Sequence, residues 1–307
     1  MNCVALFSGQ GAQKVGMGKD FYESSATARA MMDEADQVLG FSLTKIMFEG
    51  PEEELTRTPR CQPALYLHGL VAMTLLAERV AGFAVDAAAG LSLGEFTAHA
   101  AAGTFTFADG LRLVAKRGAL MEEACENTQG AMAALIGGEE AQIRALAAEC
   151  DVDVANLNAP GQIVLSGAVA GIDAVVEKAK DFGIRRAIKL NVAGAYHSRL
   201  MQSAQDQLAV AMQTVSMQAP RVPVVCNFGA SVVNEPAEIR SMLEKQVTGS
   251  VRWTESIQQL RVMGHGRFIE FGPRKVIAGL VSKIDKDAEI VSIEDLASLE
   301  AVVEKWV

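Results

Sequence analysis

Residues Gly90-Leu91-Ser92-Leu93-Gly94 stand between a short apolar run, 85–89, and a stretch with helical character, 95–102. A GxSxG pentapeptide at a strand-to-helix turn restricts the fold more than any other feature of this chain. Glycines at both ends let the helix approach the strand closely, and Ser92 is thrust out at the bend as a candidate nucleophile. The helix N-terminus then aims its free N–H groups, that of Leu93 first, at an oxygen on the carbon that Ser92 attacks. Without that context the pentapeptide is a frequent chance match, a glycine-flanked turn with an incidental serine.

The surrounding pattern is that of an α/β protein. A β-like run at 4–7 leads into the glycine-rich 8–13, and a helix is expected over 20–39. Leu65, Gly69, Ala72, Met73 and Leu76 recur at helical spacing within 62–80. Asp109 is expected to cap the next helix, whose apolar face is Leu111, Val114, Ala115 and Gly118, with Arg117 on its flank. From 129 to 191 the segments 131–136, 139–149, 152–157, 162–166, 172–182 and 186–191 read strand, helix, strand, strand, helix, strand. That βαββαβ order is the ferredoxin-like signature, so a small domain, 127–193, is expected to be inserted into a discontinuous larger one, 1–126 plus 194–307. Helices at 198–215, 238–245 and 254–263 with strands at 222–227 and 267–271 complete an alternation that predicts a mostly parallel sheet covered on both faces. The 307 residues are enough for two such domains at about 150 each.

Composition narrows the function classes. Half the residues are hydrophobic, which excludes a disordered tail or a small disulfide scaffold. The net charge of −9 disfavours bulk binding to nucleic acid or an anionic membrane. Cys3, Cys61, Cys125, Cys150 and Cys226 are scattered and never form CxxC, so reduced, buried thiols are expected and a zinc site is not. Residues 1–7 lack a basic n-region and a long apolar h-region, and the longest uncharged stretches carry Pro, Gln, His or Asn. A soluble, cytoplasmic protein is expected.

A serine nucleophile needs a base, and four histidines are available. His68 and His99 fall within predicted helices and His265 in a Gly-flanked turn, where structural or solvated roles are the ordinary ones. His197, in Gly194-Ala195-Tyr196-His197-Ser198, sits in a loop after a predicted strand, where α/β folds place catalytic groups. Gly9-Gln10-Gly11 after the first strand can supply a second oxyanion N–H. As a nucleotide loop it fails, since Walker A needs GK[ST] after four spacers and the Rossmann fingerprint needs Gly where Lys14 stands. Arg117 alone reads as an ordinary helical arginine.

In order along the chain, these motifs resemble the malonyl-CoA:acyl-carrier-protein transacylases, the acyltransferase family of fatty acid and polyketide synthesis. The resemblance runs nearly end to end. It includes Gly9-Gln10-Gly11-Ala12-Gln13, the GxSxG, Lys116-Arg117-Gly118 with Met121, and Asn158-Ala159-Pro160-Gly161-Gln162. Gly194 to Ser198, Gln246 with Val251-Arg252-Trp253, and Glu270-Phe271-Gly272-Pro273 complete it. It implies an α/β-hydrolase-like large domain with an inserted ferredoxin-like domain. Ser92 is then the nucleophile, His197 the base, the Gln10 and Leu93 N–H groups the oxyanion hole, and Arg117 the grip on the malonyl carboxylate. It also implies that the Gln246 main-chain carbonyl orients the histidine, and that Asn158 and Tyr196 line the substrate pocket. Two departures stand out: Leu91 replaces the family's usual His, and Arg274 its usual Gly.

The implied reaction is a ping-pong transfer from malonyl-CoA to the phosphopantetheine thiol of acyl carrier protein, needing no metal or redox cofactor. Lys189, Arg185, Arg186, Arg199 and Arg274 are candidates for meeting an acidic carrier. A serine esterase or thioesterase shares the elbow, and a polyketide acyltransferase shares the whole pattern. A subunit that only binds an acylated partner is the non-enzymatic alternative.

Overall fold

The computed structural model describes residues 3–306. Its strands, in chain order, are β1 (Val4–Phe7), β2 (Ala87–Gly90), β3 (Gly130–Ile136), β4 (Asp153–Ala159), β5 (Gln162–Ala168), β6 (Arg186–Lys189), β7 (Val224–Val225), β8 (Arg267–Phe271) and β9 (Glu289–Ile293). One sheet, in the order β7-β2-β1-β8-β9, is parallel throughout. The other, β4-β5-β3-β6, is antiparallel.

Every residue of β1 and β2 is buried, as a parallel strand with both faces covered requires. Successive side chains enter opposite layers: Ala5, Phe7 and Ala88 join the core on one face, and Val4, Leu6, Ala87 and Ala89 the core on the other. The second sheet has its own core, in which Leu135, Leu165, Ile143, Leu146, Ile172 and Val175 pack it against the helices Glu140–Glu149 and Val169–Lys178. Its opposite face gives Met132, Ala155 and Val164 to the main core. Backbone bonds from Leu157 N–H to Val251 O (2.9 Å) and from Val251 N–H to Ala155 O (2.8 Å) tie it to the rest of the chain.

Several elements differ from the pattern-based expectation. The helix expected over 20–39 is two, Lys19–Ser24 and Ala26–Leu39, because Ser25 turns extended and its hydroxyl caps the Ala28 N–H. Thr106, rather than Asp109, caps the helix Phe107–Glu126: its hydroxyl accepts the Asp109 N–H, which leaves Asp109 in the first turn. The helix expected from 198 opens with a 3₁₀ turn, Arg199–Met201, before the α-helix Gln202–Met212. Helices Leu43–Glu49, Glu52–Thr56, Val276–Ile284 and Leu296–Trp306, and strand β9, had no counterpart in the pattern. Val276–Ile284 is capped from a distance: the buried Glu270 carboxylate on β8 accepts the N–H groups of Ile277 (2.9 Å) and Ala278 (3.0 Å) and the hydroxyls of Ser8 and Ser292. The five cysteines are free and buried. Among the described residues, no helix is long and apolar enough to cross a membrane.

Candidate active site

The elbow forms because two glycines permit contacts that no side chain could survive. A Cβ on Gly90 would lie 2.0 Å from Gly94 backbone, and one on Gly94 would lie 2.1 Å from the Phe7 carbonyl oxygen. Between them Ser92 adopts φ 54°, ψ −104°, a conformation that costs an L-residue about 1–3 kcal/mol. Side chains hold it there. Asn227 Oδ1 accepts the Ser92 N–H at 2.7 Å while its amide donates to Gly90 O, and Gln246 Nε2 donates to Ser92 O at 2.9 Å.

Ser92 Oγ lies 2.7 Å from His197 Nε2, although the two are 105 residues apart in sequence. His197 Nδ1 faces the Gln246 carbonyl oxygen at 2.8 Å. A carbonyl can only accept, so Nδ1 carries the proton and Nε2 presents its lone pair to the serine. Burial, and then the nearby Arg117 charge, push the His197 pKa down to about 4, so the imidazole is neutral at pH 7.

Arg117 is fully buried beside this pair. Its Nη1 donates to Gln62 Oε1 (2.7 Å), and its Nη2 donates to both Gln246 Oε1 (2.9 Å) and Ser92 Oγ (3.1 Å). The guanidinium lies over the Phe96 ring, 5.2 Å from its centroid, and its Nε has no acceptor in the protein. Burial lowers its pKa to about 10, which still leaves it charged at neutral pH. A buried cation without a carboxylate partner is costly unless something anionic completes it.

Gly9 approaches the elbow so closely that a Cβ there would lie 2.4 Å from Leu91 O, which sets the Gly9-Gln10 loop against the turn that carries Ser92. Among the described residues, neither the Gln10 nor the Leu93 backbone N–H meets an acceptor. Both residues line a cleft of about 760 Å³, its open mouth included, with Ser92, His197 and Arg117 in its wall. The opposite wall comes from the second sheet and its exit: Met132, Asn156, Asn158, Val164, Leu190 and Val192. Asn158 Oδ1 is buried there without a partner. Tyr196 joins the wall and is fixed by a 2.7 Å hydrogen bond between its hydroxyl and Thr58 Oγ1.

Thus Ser92, His197, Arg117, Gln10, Leu93, Asn158 and Tyr196 converge on one cleft, and Gln246 adjoins it from below. Leu91 also lines it, so an apolar side chain stands where the motif commonly has His. Arg274 does not. It sits in a turn with φ 68°, a left-handed conformation that explains a preference for Gly at this point. His68 and His99 are buried structural residues, bound to Glu294 O and Thr104 Oγ1. Gln62, Asn227, Glu95 and the Gln246 side chain escaped the reading of the sequence. Only Glu95 gave any signal, as the one carboxylate on a largely apolar helix, immediately after Gly94. Glu95, His99 and Cys226 bring metal-ligand atoms within 4.8 Å of one another, but none of the three lines the cleft.

The profile of the acyl transferase domain matches residues 4–299. The chain belongs to this family. Among relatives in it, the malonyl CoA-acyl carrier protein transacylase of Bacillus subtilis (strain 168) is 39% identical over 304 residues, covering 97% of this chain and 95% of that protein. The enzyme of the same name from Haemophilus influenzae is 36% identical, covering 97% of each. Acyl transferase structures superpose closely. The acyl-carrier-protein-S-malonyltransferase of Bartonella henselae gives a TM-score of 0.95 at 36% identity, covering 100% of this chain and 99% of that one. A malonyl-transacylase solved with a type II polyketide acyl-carrier protein, PlMCAT:AntF, gives 0.95 at 34% identity over 99% of this chain and all of that one.

Proposed function

We propose that this acyltransferase moves a malonyl group from malonyl-CoA to the phosphopantetheine thiol of an acyl carrier protein, through a malonyl ester on Ser92. The observation that carries the reading is Arg117: a buried guanidinium 3.1 Å from the nucleophile, without a protein carboxylate, suits an acyl group that brings its own. The names of the relatives, and a neighbour solved with its carrier protein, support the same substrate and acceptor.

Ser92 Oγ attacks the thioester carbon as its proton passes to His197 Nε2. The oxyanion forms against the N–H groups of Gln10 and Leu93. Collapse expels the coenzyme A thiolate, which takes the proton back from His197, and the carrier thiol reverses these steps. Thioester is exchanged for thioester, and the chemistry calls on no metal or redox cofactor.

The domain reading goes with it: an α/β-hydrolase-like domain, 1–126 and 194–307, carries the elbow, and a ferredoxin-like domain, 127–193, closes the cleft. The antiparallel order β4-β5-β3-β6 and the separate apolar core support that division. Arg199 is engaged by Asp151 and Asp153, Lys189 by Asp173 and Arg274 by Glu52. Among the described residues this leaves Arg185 and Arg186, exposed and without an ion pair, as the cations best placed to meet an acidic carrier. They precede the cleft-lining Leu190 and Val192. We assign the protein to the cytoplasm, a compartment that suits five free thiols.

Intact-protein mass spectrometry after mixing with malonyl-CoA tests the mechanism. A malonyl adduct is expected on the native chain and not on Ser92→Ala, and it should discharge to holo carrier protein far faster than to water. An unmodified native protein, or an adduct on Ser92→Ala, overturns the assignment. Equal discharge to water makes the protein a thioesterase.

A further inference from the structure

Glu95 is a carboxylate with 0% exposure, directly beneath the nucleophile, and the mechanism above does not use it. Its Oε2 accepts the Asn227 backbone N–H at 2.9 Å and Gln246 Nε2 at 2.6 Å. These two partners are the residues whose side chains hold the Ser92 N–H and the Ser92 carbonyl oxygen. By taking Gln246 Nε2, Glu95 also decides which end of that amide faces outward. The remaining end, Oε1, receives Arg117 Nη2, while the main-chain carbonyl of the same residue receives His197.

We propose that Glu95 is a positioning residue for acyl transfer: through Oε2 it fixes the Gln246 amide and Asn227, and through them the strained Ser92 backbone and the Arg117 guanidinium. A reversed Gln246 amide would set its NH₂ against Arg117, donor against donor. Glu95 stands one amide away from the guanidinium, and the two make no ion pair, so Arg117 keeps donors free for the substrate. The role is one of acceptor geometry rather than of charge. Burial raises the Glu95 pKa to about 7, and a proton on Oε1, which has no partner, leaves the Oε2 acceptor intact.

This role rests on the malonyl-serine reading and makes the conservative variant decisive. In Glu95→Gln the amide oxygen can replace Oε2, while the NH₂ takes the place of the unpartnered Oε1. Glu95→Leu fills similar volume without an acceptor. Single-turnover acylation by malonyl-CoA should slow about 100-fold in Glu95→Leu, roughly tenfold per lost bond to the carboxylate, and stay within about threefold of native in Glu95→Gln. Because only one of the two bonds runs through Gln246, adding Glu95→Leu to Gln246→Leu should cost about the tenfold that runs through Asn227 rather than the full 100-fold. The proposal is overturned if Glu95→Gln is as slow as Glu95→Leu, if Glu95→Leu acylates like the native chain, or if the double variant is fully additive. Should Glu95→Leu fail to fold by circular dichroism, Gln246→Leu must itself slow acylation at least about tenfold, or the proposal fails. The native chain run alongside separates the two readings: if it forms no adduct, the malonyl-serine mechanism is wrong, whatever Glu95 does.

Discussion

Replacing Arg117 tests how this site selects its acyl group. A guanidinium has five N–H donors. Three serve Gln62, Gln246 and Ser92, which leaves two, one of them the buried and unpartnered Nε–H. Charge-assisted hydrogen bonds contribute about 1.5–3 kcal/mol each, so a malonyl carboxylate that pairs one of these with the neighbouring Nη2–H, released from Ser92 Oγ as the ester forms, gains about 3–6 kcal/mol that an acetyl group cannot. At about 1.4 kcal/mol per decade, that is a preference of about 10²–10⁴. In Arg117→Ala the ratio of kcat/KM for malonyl-CoA to that for acetyl-CoA should fall by this factor. Acetyl transfer itself should lose at most about tenfold, because Ser92 Oγ gives up one hydrogen bond from Nη2. Arg117→Lys keeps a charge but not the fork, and should recover only part of the preference. The assay is the rate of acyl-serine formation from each thioester, with thermal unfolding to register the cost of leaving the Gln62 and Gln246 oxygens unpaired. A ratio that stays within about threefold of native in both variants refutes the carboxylate assignment.

Further outcomes follow from burial and close contact. As the proposed base, His197 acts only when neutral, and its depressed pKa keeps it so down to about 4; the acylation rate should therefore fall as pH drops through about 4, and a limb at the ordinary histidine value near 6.5 contradicts this. Stability should decline sooner. His68, His99 and His197 have folded pKa values near 4, 3 and 4, so between about 6.5 and 4 the unfolded chain binds more protons at these sites; Glu95 and Glu270, raised by burial, oppose the trend but are fewer, and chemical denaturation across that range checks the slope. Gly94→Ala should destabilise by about 1–3 kcal/mol or more and abolish acylation, since its Cβ meets Phe7 O at 2.1 Å. Gly279→Ala, in a helix with nothing within 4 Å of its Cβ, should stabilise by about 0.5–1 kcal/mol; equal thermal shifts in the two variants would contradict the contact geometry.

The parts of the site legible in the sequence are those whose chemistry sits in contiguous residues. Ser92 announced itself through two glycines and a strand-to-helix switch, and His197 through its loop. Gln246 was reached only by resemblance, because a backbone carbonyl has no side-chain signature. Gln62 and Asn227 were illegible for a different reason: each is an ordinary polar residue whose role exists only once tertiary contacts bring it to Arg117 or Ser92. The same holds for structure. Helices with a local apolar stripe were readable, whereas Val276–Ile284 depends on a cap six residues upstream of its first residue, on a strand. Ser25, too, breaks a helix that the apolar pattern would have continued, because its hydroxyl satisfies a backbone donor locally.

The carbonyl behind His197 bears on which acceptors can empty the acyl-enzyme. A carboxylate in that position would stabilise the imidazolium formed in the transition state. A neutral carbonyl does so less, and Arg117 nearby works against it. Such a base is weak, and a weak base discriminates by acidity. A thiol, with a pKa of about 8.5, gives up its proton some seven units more readily than water at about 15.7. On the proposed mechanism, the acyl ester is then expected to resist the most abundant nucleophile in the cell while remaining open to a thiol.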